Sequence, residues 1–125
     1  MAYLGPVHRW DLIWADLEPH VGSEQAGDRR PVLVVSNDEF NRHFPVVTTI
    51  PLTKLEGKQR RLYPFEVLLP SGIAGNAYTS IALPHQIRTI SKTRLLERIG
   101  TLADEDARSE VEERLMDHLG IAFDD

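Results

Sequence analysis

The chain contains no cysteine in 125 residues, so neither a disulfide framework nor a thiolate metal site is available, and a reducing compartment suits it. Long apolar runs are missing as well. The stretch PVLVV, residues 31–35, is far too short to span a bilayer, and the opening MAYLGPVHRW lacks the basic region and apolar core of a secretion signal. A soluble, cytoplasmic protein with no membrane partner is expected. The five histidines, His8, His20, His43, His85 and His118, show neither HxH nor HxxxH spacing and adjoin no cluster of carboxylate ligands. No metal centre is expected on that ground. There is no glycine-rich phosphate loop ending in Lys and Ser or Thr, and no GxSxG nucleophile turn. No cofactor is implied. Without a linker, internal repeat or low-complexity segment, residues 1–125 are expected to form one domain, large enough to bury about two thirds of its unfolded surface.

Basic charge is also in short supply, with a formal net charge of -5. Taken whole, that opposes nucleic-acid binding, which is largely neutralisation of phosphates by Lys and Arg. The distribution is uneven. Residues 101–125 hold nine Asp or Glu against two Arg, so residues 1–100 carry 12 basic and 10 acidic side chains, a balance of +2. Local basic clusters stand at Arg29 and Arg30 and at Lys54, Lys58, Arg60 and Arg61.

What is present reads mainly as strand. WDLIWADL has an apolar majority on both alternating faces, and PVLVVS is a β-branched run suited to a central strand, with Pro31 at its first position. Between them lies a loop of about a dozen residues marked by Pro19, Gly22 and Gly27, long enough to suggest function. VVTTIPLT, YPFEVLL, AYTSIAL, QIRTI and RIGTL follow as shorter strands. Six or seven such strands in succession indicate an antiparallel barrel or strongly coiled sheet. The tail is helical: Asp104 is a suitable N-cap, Ala107, Val111, Leu115 and Leu119 recur at i+4, and Gly120 can end the helix. Its acidity then belongs to a solvated helix face.

Arginine, hydroxyl and amide chemistry remains. Arg30 stands where a loop enters a strand, and its guanidinium can hold two phosphate oxygens or pair with a nearby carboxylate such as Glu24 or Asp28. Thr53 ends a strand, where a hydroxyl can form a turn or contribute chemistry. His20 in the long loop can carry protons near neutral pH or be an ordinary solvated histidine.

Several ordered segments carry a family resemblance. DLIWADLEPHVGSEQAGDRRPVLVVSND resembles the opening of the MazF/PemK toxin endoribonucleases; IPLTK is similar to their strand ending in Thr, YPFEVLLP to their PFEV strand, and ALPHQIRTISKTRLLERIGTL to their DQVR segment. The resemblance runs from about Asp11 to Gly120. It implies an SH3-like antiparallel β-barrel of the CcdB/PemK type with a C-terminal α-helix, assembled as a symmetric homodimer. It further implies a metal-independent ribonuclease cutting single-stranded RNA at short sequences in messenger, and also ribosomal or transfer, RNA, leaving a 2′,3′-cyclic phosphate and a 5′-hydroxyl. By the same resemblance Arg30 and Thr53 are the catalytic pair and Glu24, Gln25 and Gln86 contact RNA; Asn37, just past the second strand, is a further candidate contact. Lys54 and Arg61, at the ends of the variable basic loop, add attraction for it. The implied partner is a cognate antitoxin with a flexible acidic tail that blocks the site.

Two positions depart from the family pattern: Trp10 replaces a usual Gly, and His85 a usual Asp or Glu. The same fold class includes CcdB-like gyrase inhibitors, whose terminal Trp has no counterpart in LGIAFDD, and a barrel that binds RNA without cutting it is a further alternative.

Overall fold

The computed structural model describes Tyr3 and residues 5–122, which leaves Asp124 and Asp125 of the acidic tail outside the described residues. These form seven strands and two α-helices: β1 (Asp11–Ala15), β2 (Arg30–Val34), α1 (Asp38–His43), β3 (Val46–Lys54), β4 (Val67–Leu69), β5 (Ser80–Ala82), β6 (Arg88–Ser91), β7 (Leu95–Thr101) and α2 (Glu105–Leu119). Single 3-10 turns at Pro84–Gln86 and Lys92–Arg94 precede β6 and β7. Every strand pairing is antiparallel, and the strand order is β4-β5-β3-β2-β1-β7 with β6 also on β3. The sheet is the SH3-like coiled architecture with a C-terminal helix. No helix among the described residues is long and apolar enough to cross a membrane.

β3 makes the sheet coil. Its first half pairs with β6 and its last residues pair with β5. Pro51 lies at the changeover, where it has no N–H to give and its carbonyl accepts from Leu83 N at 3.0 Å. Coiling buries both faces of β1, β2 and β3. Leu12, Leu33, Ile50 and Leu52 pack beneath α2 through Ala107 and Val111, while Ile13, Val32, Val34 and Val47 pack with Ile90 and Leu95 on the other side. This accounts for apolar runs without polar alternation in these strands.

The helix α2 is closed at both ends as the sequence suggests. Asp104 accepts from Ala107 N at 2.8 Å, and Gly120, at φ 70°, lets Ile121 N reach Met116 O at 2.9 Å. Leu119, however, is 56% exposed, so the apolar stripe ends a turn before the helix does.

Other differences have local causes. YPFEVLL yields a strand only from Val67, because Glu66 N turns back onto Tyr63 O at 3.0 Å and the Glu66 carboxylate is buried. The connection after β2 folds into α1, capped by Asn37 accepting from Phe40 N at 2.8 Å. Trp10 takes φ 77°, the left-handed conformation a glycine adopts without strain. Its indole is buried, with the Arg9 and Arg108 guanidiniums 4.6 and 5.4 Å from the ring centroid.

Candidate functional site

The register of β2 and β3 sets Val32 opposite Pro51 and Leu33 opposite Ile50. Beyond that pairing Arg30 begins β2 opposite Ala15 of β1, while Thr53 lies near the end of β3 opposite Ile81 of β5. Both line one cleft of about 230 Å³, together with Trp14, Arg29, Lys54 and Tyr78. Two strands therefore fix the backbone beneath the pair.

Loop packing directs the Arg30 side chain. Its Nε donates to Ala26 O at 2.9 Å, and Gln25, with its amide oxygen turned inward as the hydrogen-bond network favours, accepts from Nε at 3.1 Å and Nη1 at 3.3 Å. Gly27, at φ 128°, lies flat against the guanidinium, where an added Cβ would come within 3.2 Å of Nε. The loop is itself cross-linked. Leu17 N donates to Gly27 O, Arg94 Nη1 donates to the carbonyls of Asp16 and Glu18, and Gly27 N donates to the Glu18 carboxylate. His20 Nδ1 contacts that same carboxylate at 2.7 Å, and its hydrogen bond holds Glu18 below the usual carboxyl range against some burial. His20 is thus a surface loop partner.

A second cleft, of about 170 Å³, is lined by Glu24, Gln25, His85, Gln86 and Arg88 around Val32 and Pro51. Gln86 accepts from Gln25 N at 3.3 Å and donates to Ser23 O at 3.2 Å, so both ends of its amide hold the long loop. Glu24 accepts from Val21 N at 2.7 Å. His85 is partly buried, meets the Phe65 ring edge-on at 4.7 Å, and leaves its Nδ1 buried without a partner. Burial pushes its pKa down, His118 adds to the shift, and the Glu66 charge opposes it.

The cations divide by partner. Arg29 is bound to Glu97 through two guanidinium nitrogens, and Arg60 grips the buried Glu66 at 3.0 and 2.8 Å. Burial resists ionisation of Glu66, but the Arg60 bonds and the Tyr63 N–H outweigh it and hold the carboxyl below its usual range. Among the described residues, no carboxylate lies within 4 Å of the cationic groups of Arg30, Lys54 or Arg88, all of which line the two clefts. The carboxylate alternative for Arg30 is not what folds.

The two clefts bring together Arg30, Thr53, Lys54, Glu24, Gln25 and Gln86. They do not include Asn37, whose side chain caps α1, nor Arg61, which is exposed on the basic loop. Trp14, Tyr78, His85 and Arg88 join the clefts without having been singled out as binding residues. Arg88 was legible in principle, since it stands two residues after Gln86 in the QIRT segment; Tyr78 falls in the expected strand AYTSIAL, but β5 begins only at Ser80, so Tyr78 belongs to the loop before it.

The molecule is thus a small coiled antiparallel sheet with an arginine and a threonine in one cleft beside a long polar loop. Residues 8–119 match the family described as PemK-like, MazF-like toxin of type II toxin-antitoxin system, and the chain belongs to that family. It is 39% identical over 115 residues to the endoribonuclease EndoA of Bacillus subtilis, covering 92% of this chain and 96% of that protein. Crystalline MazF from Deinococcus radiodurans is 28% identical, with a TM-score of 0.77 over 94% of this chain and 99% of its own. A MazE–MazF structure from the same organism is 25% identical, with a TM-score of 0.71 over 94% and 99%.

Proposed function

We propose that the chain is an endoribonuclease toxin that cuts single-stranded RNA at short sequences by attack of the neighbouring 2′-hydroxyl on the phosphate, without a metal. The observation that carries this reading is that Arg30, with no carboxylate partner among the described residues, shares one cleft with Thr53. Because the RNA supplies its own nucleophile, the protein needs only to align the phosphate, move protons and stabilise the added charge of a pentacoordinate phosphorane. Arg30 clamps the scissile phosphate and meets that charge. Thr53 hydrogen-bonds the phosphate or the 2′-hydroxyl. The products are a 2′,3′-cyclic phosphate and a 5′-hydroxyl, and the targets are messenger RNA with ribosomal or transfer RNA in addition.

Base edges fall to Glu24 and Gln25 in the second cleft, joined by Arg88; Gln86 acts there chiefly by holding the loop. Membership of a toxin–antitoxin family supports a partner antitoxin, and the Deinococcus relative is solved with MazE. Its flexible acidic tail is attracted to Arg30, Lys54 and Arg88 and blocks RNA. A homodimer is supported by the exposed apolar side chains of Tyr63, Phe65, Leu68, Leu119 and Ile121, which a second copy would cover.

The test is to incubate the protein with a long single-stranded RNA in excess EDTA and map new ends beside Arg30→Ala and Thr53→Ala. Discrete cuts are expected, lowered about 10²- to 10³-fold in rate by Arg30→Ala, as for loss of one preorganised charge stabiliser. Full activity in either variant overturns the assignment. No cuts under any condition, with inhibition of gyrase supercoiling, favours a CcdB-like toxin.

A further inference from the structure

Two aromatic rings border the cleft of Arg30 and Thr53, and each carries a cation on one face. Arg29 lies 4.8 Å from the Trp14 centroid and is tied from its other side to Glu97, so that ring face stays covered. Lys54 Nζ lies 3.8 Å from the Tyr78 centroid, and no carboxylate among the described residues holds it. Tyr78 is 48% exposed. Its backbone, by contrast, is pinned: the Tyr78 carbonyl accepts from the side chain of buried Asn76 and from Ser80 Oγ, both at 2.8 Å. The result is a half-exposed ring on a pinned backbone, under an ammonium that no carboxylate among the described residues holds, one residue along β3 from Thr53.

We propose that Tyr78 is the stacking platform for one unpaired nucleobase adjoining the scissile phosphate, and that Lys54 leaves the ring for a backbone phosphate as the base arrives. The inference rests on the reading of this cleft as the RNA-cleaving site. Any base offers a π-face, so such a platform takes single-stranded RNA with little regard for sequence. The exchange is favourable because a flat base covers more of the ring than an ammonium, while Lys54 trades an exposed cation–π contact for a charged phosphate. Trp14 cannot serve in the same way while Arg29 and Glu97 remain paired.

The test measures kcat and KM on a short oligoribonucleotide containing a mapped cut, for wild type, Tyr78→Ala and Tyr78→Phe, with each base near the cut replaced in turn by an abasic site. Tyr78→Ala is expected to lower kcat/KM about 10- to 100-fold, mainly through KM, as stacking losses on aromatic side chains do. Tyr78→Phe, which keeps the ring, recovers most of that. One abasic position should cost wild type a similar factor and Tyr78→Ala nothing further. Wild-type kinetics in Tyr78→Ala, or a loss indifferent to every abasic position, overturns the platform while leaving the nuclease reading intact. If wild type cuts nothing, the nuclease reading fails, and 2-aminopurine-labelled single-stranded RNA decides the platform separately: quenching by wild type and not by Tyr78→Ala retains it, and equal signals overturn it.

Discussion

Arg30 owes its direction to a glycine as much as to any hydrogen bond. Gly27 adopts φ 128° with its Cα face against the guanidinium, so Gly27→Ala strains the loop and pushes Arg30 by a few tenths of an ångström or more. Misplacement on the ångström scale can cost about 10²-fold in rate, and kcat for RNA cleavage in Gly27→Ala is expected to fall at least about tenfold. An unchanged kcat would show that this seating is dispensable. Trp10 poses the opposite case, a large side chain where glycine suits the backbone. Truncating a buried Trp costs about 3–5 kcal/mol, whereas relief of the left-handed conformation returns about 1–2 kcal/mol. Trp10→Gly should therefore lose about 2 kcal/mol in denaturant unfolding; a more stable variant would mean the strain outweighs the packing. Residue identity in GSEQ and RP pointed to the first of these sites. Tyr78 was read as part of the strand AYTSIAL, but its ring reaches the cleft through the loop before Ser80 rather than through a strand period.

At the scale of elements, the strands were legible wherever both faces are buried, since WDLIWA and PVLVV have no reason to be apolar on both alternating faces in an open sheet. The caps of α2 were equally plain in Asp104 and Gly120. Legibility failed where a buried charge reshapes the chain: the Glu66 carboxylate, gripped by Arg60, replaces the first half of the expected PFEV strand with a turn. It failed again at α1, a helix of six residues too short to show a period. The contact between α2 and the turn before β6 carries a pH dependence. His85 is held below its ordinary pKa by burial, so the unfolded chain binds its proton more readily than the folded one. Stability should therefore fall as pH is lowered through the ordinary histidine range near about 6.5. Glu66, depressed by Arg60, adds a separate loss at lower pH, below the ordinary carboxyl value. Melting temperatures from pH 7.5 to 5.5 are expected to drop less for His85→Gln than for wild type; parallel curves would remove His85 as the cause.

Across the whole molecule, the acidic composition and a phosphate-binding site are compatible because the charges are sorted. Acidic side chains gather on α2, where Glu112 engages Arg9, while Arg30, Lys54 and Arg88 line the clefts and have no carboxylate partner among the described residues. Net charge read over the entire chain conceals this division. The second copy proposed for the exposed apolar surface gives a direct mass prediction: sedimentation should report twice 14.2 kDa, and a monomer at micromolar concentration would contradict the homodimer. The central claim is that this cleft cuts RNA through the substrate's own 2′-hydroxyl. It is tested most directly by following a short single-stranded oligoribonucleotide, in EDTA, with one 2′-deoxy nucleotide on the 5′ side of the mapped cut. Complete loss of cleavage there, with the all-ribose control cut to a 2′,3′-cyclic phosphate, is the predicted result; cleavage of the deoxy-substituted strand at the same bond would contradict it.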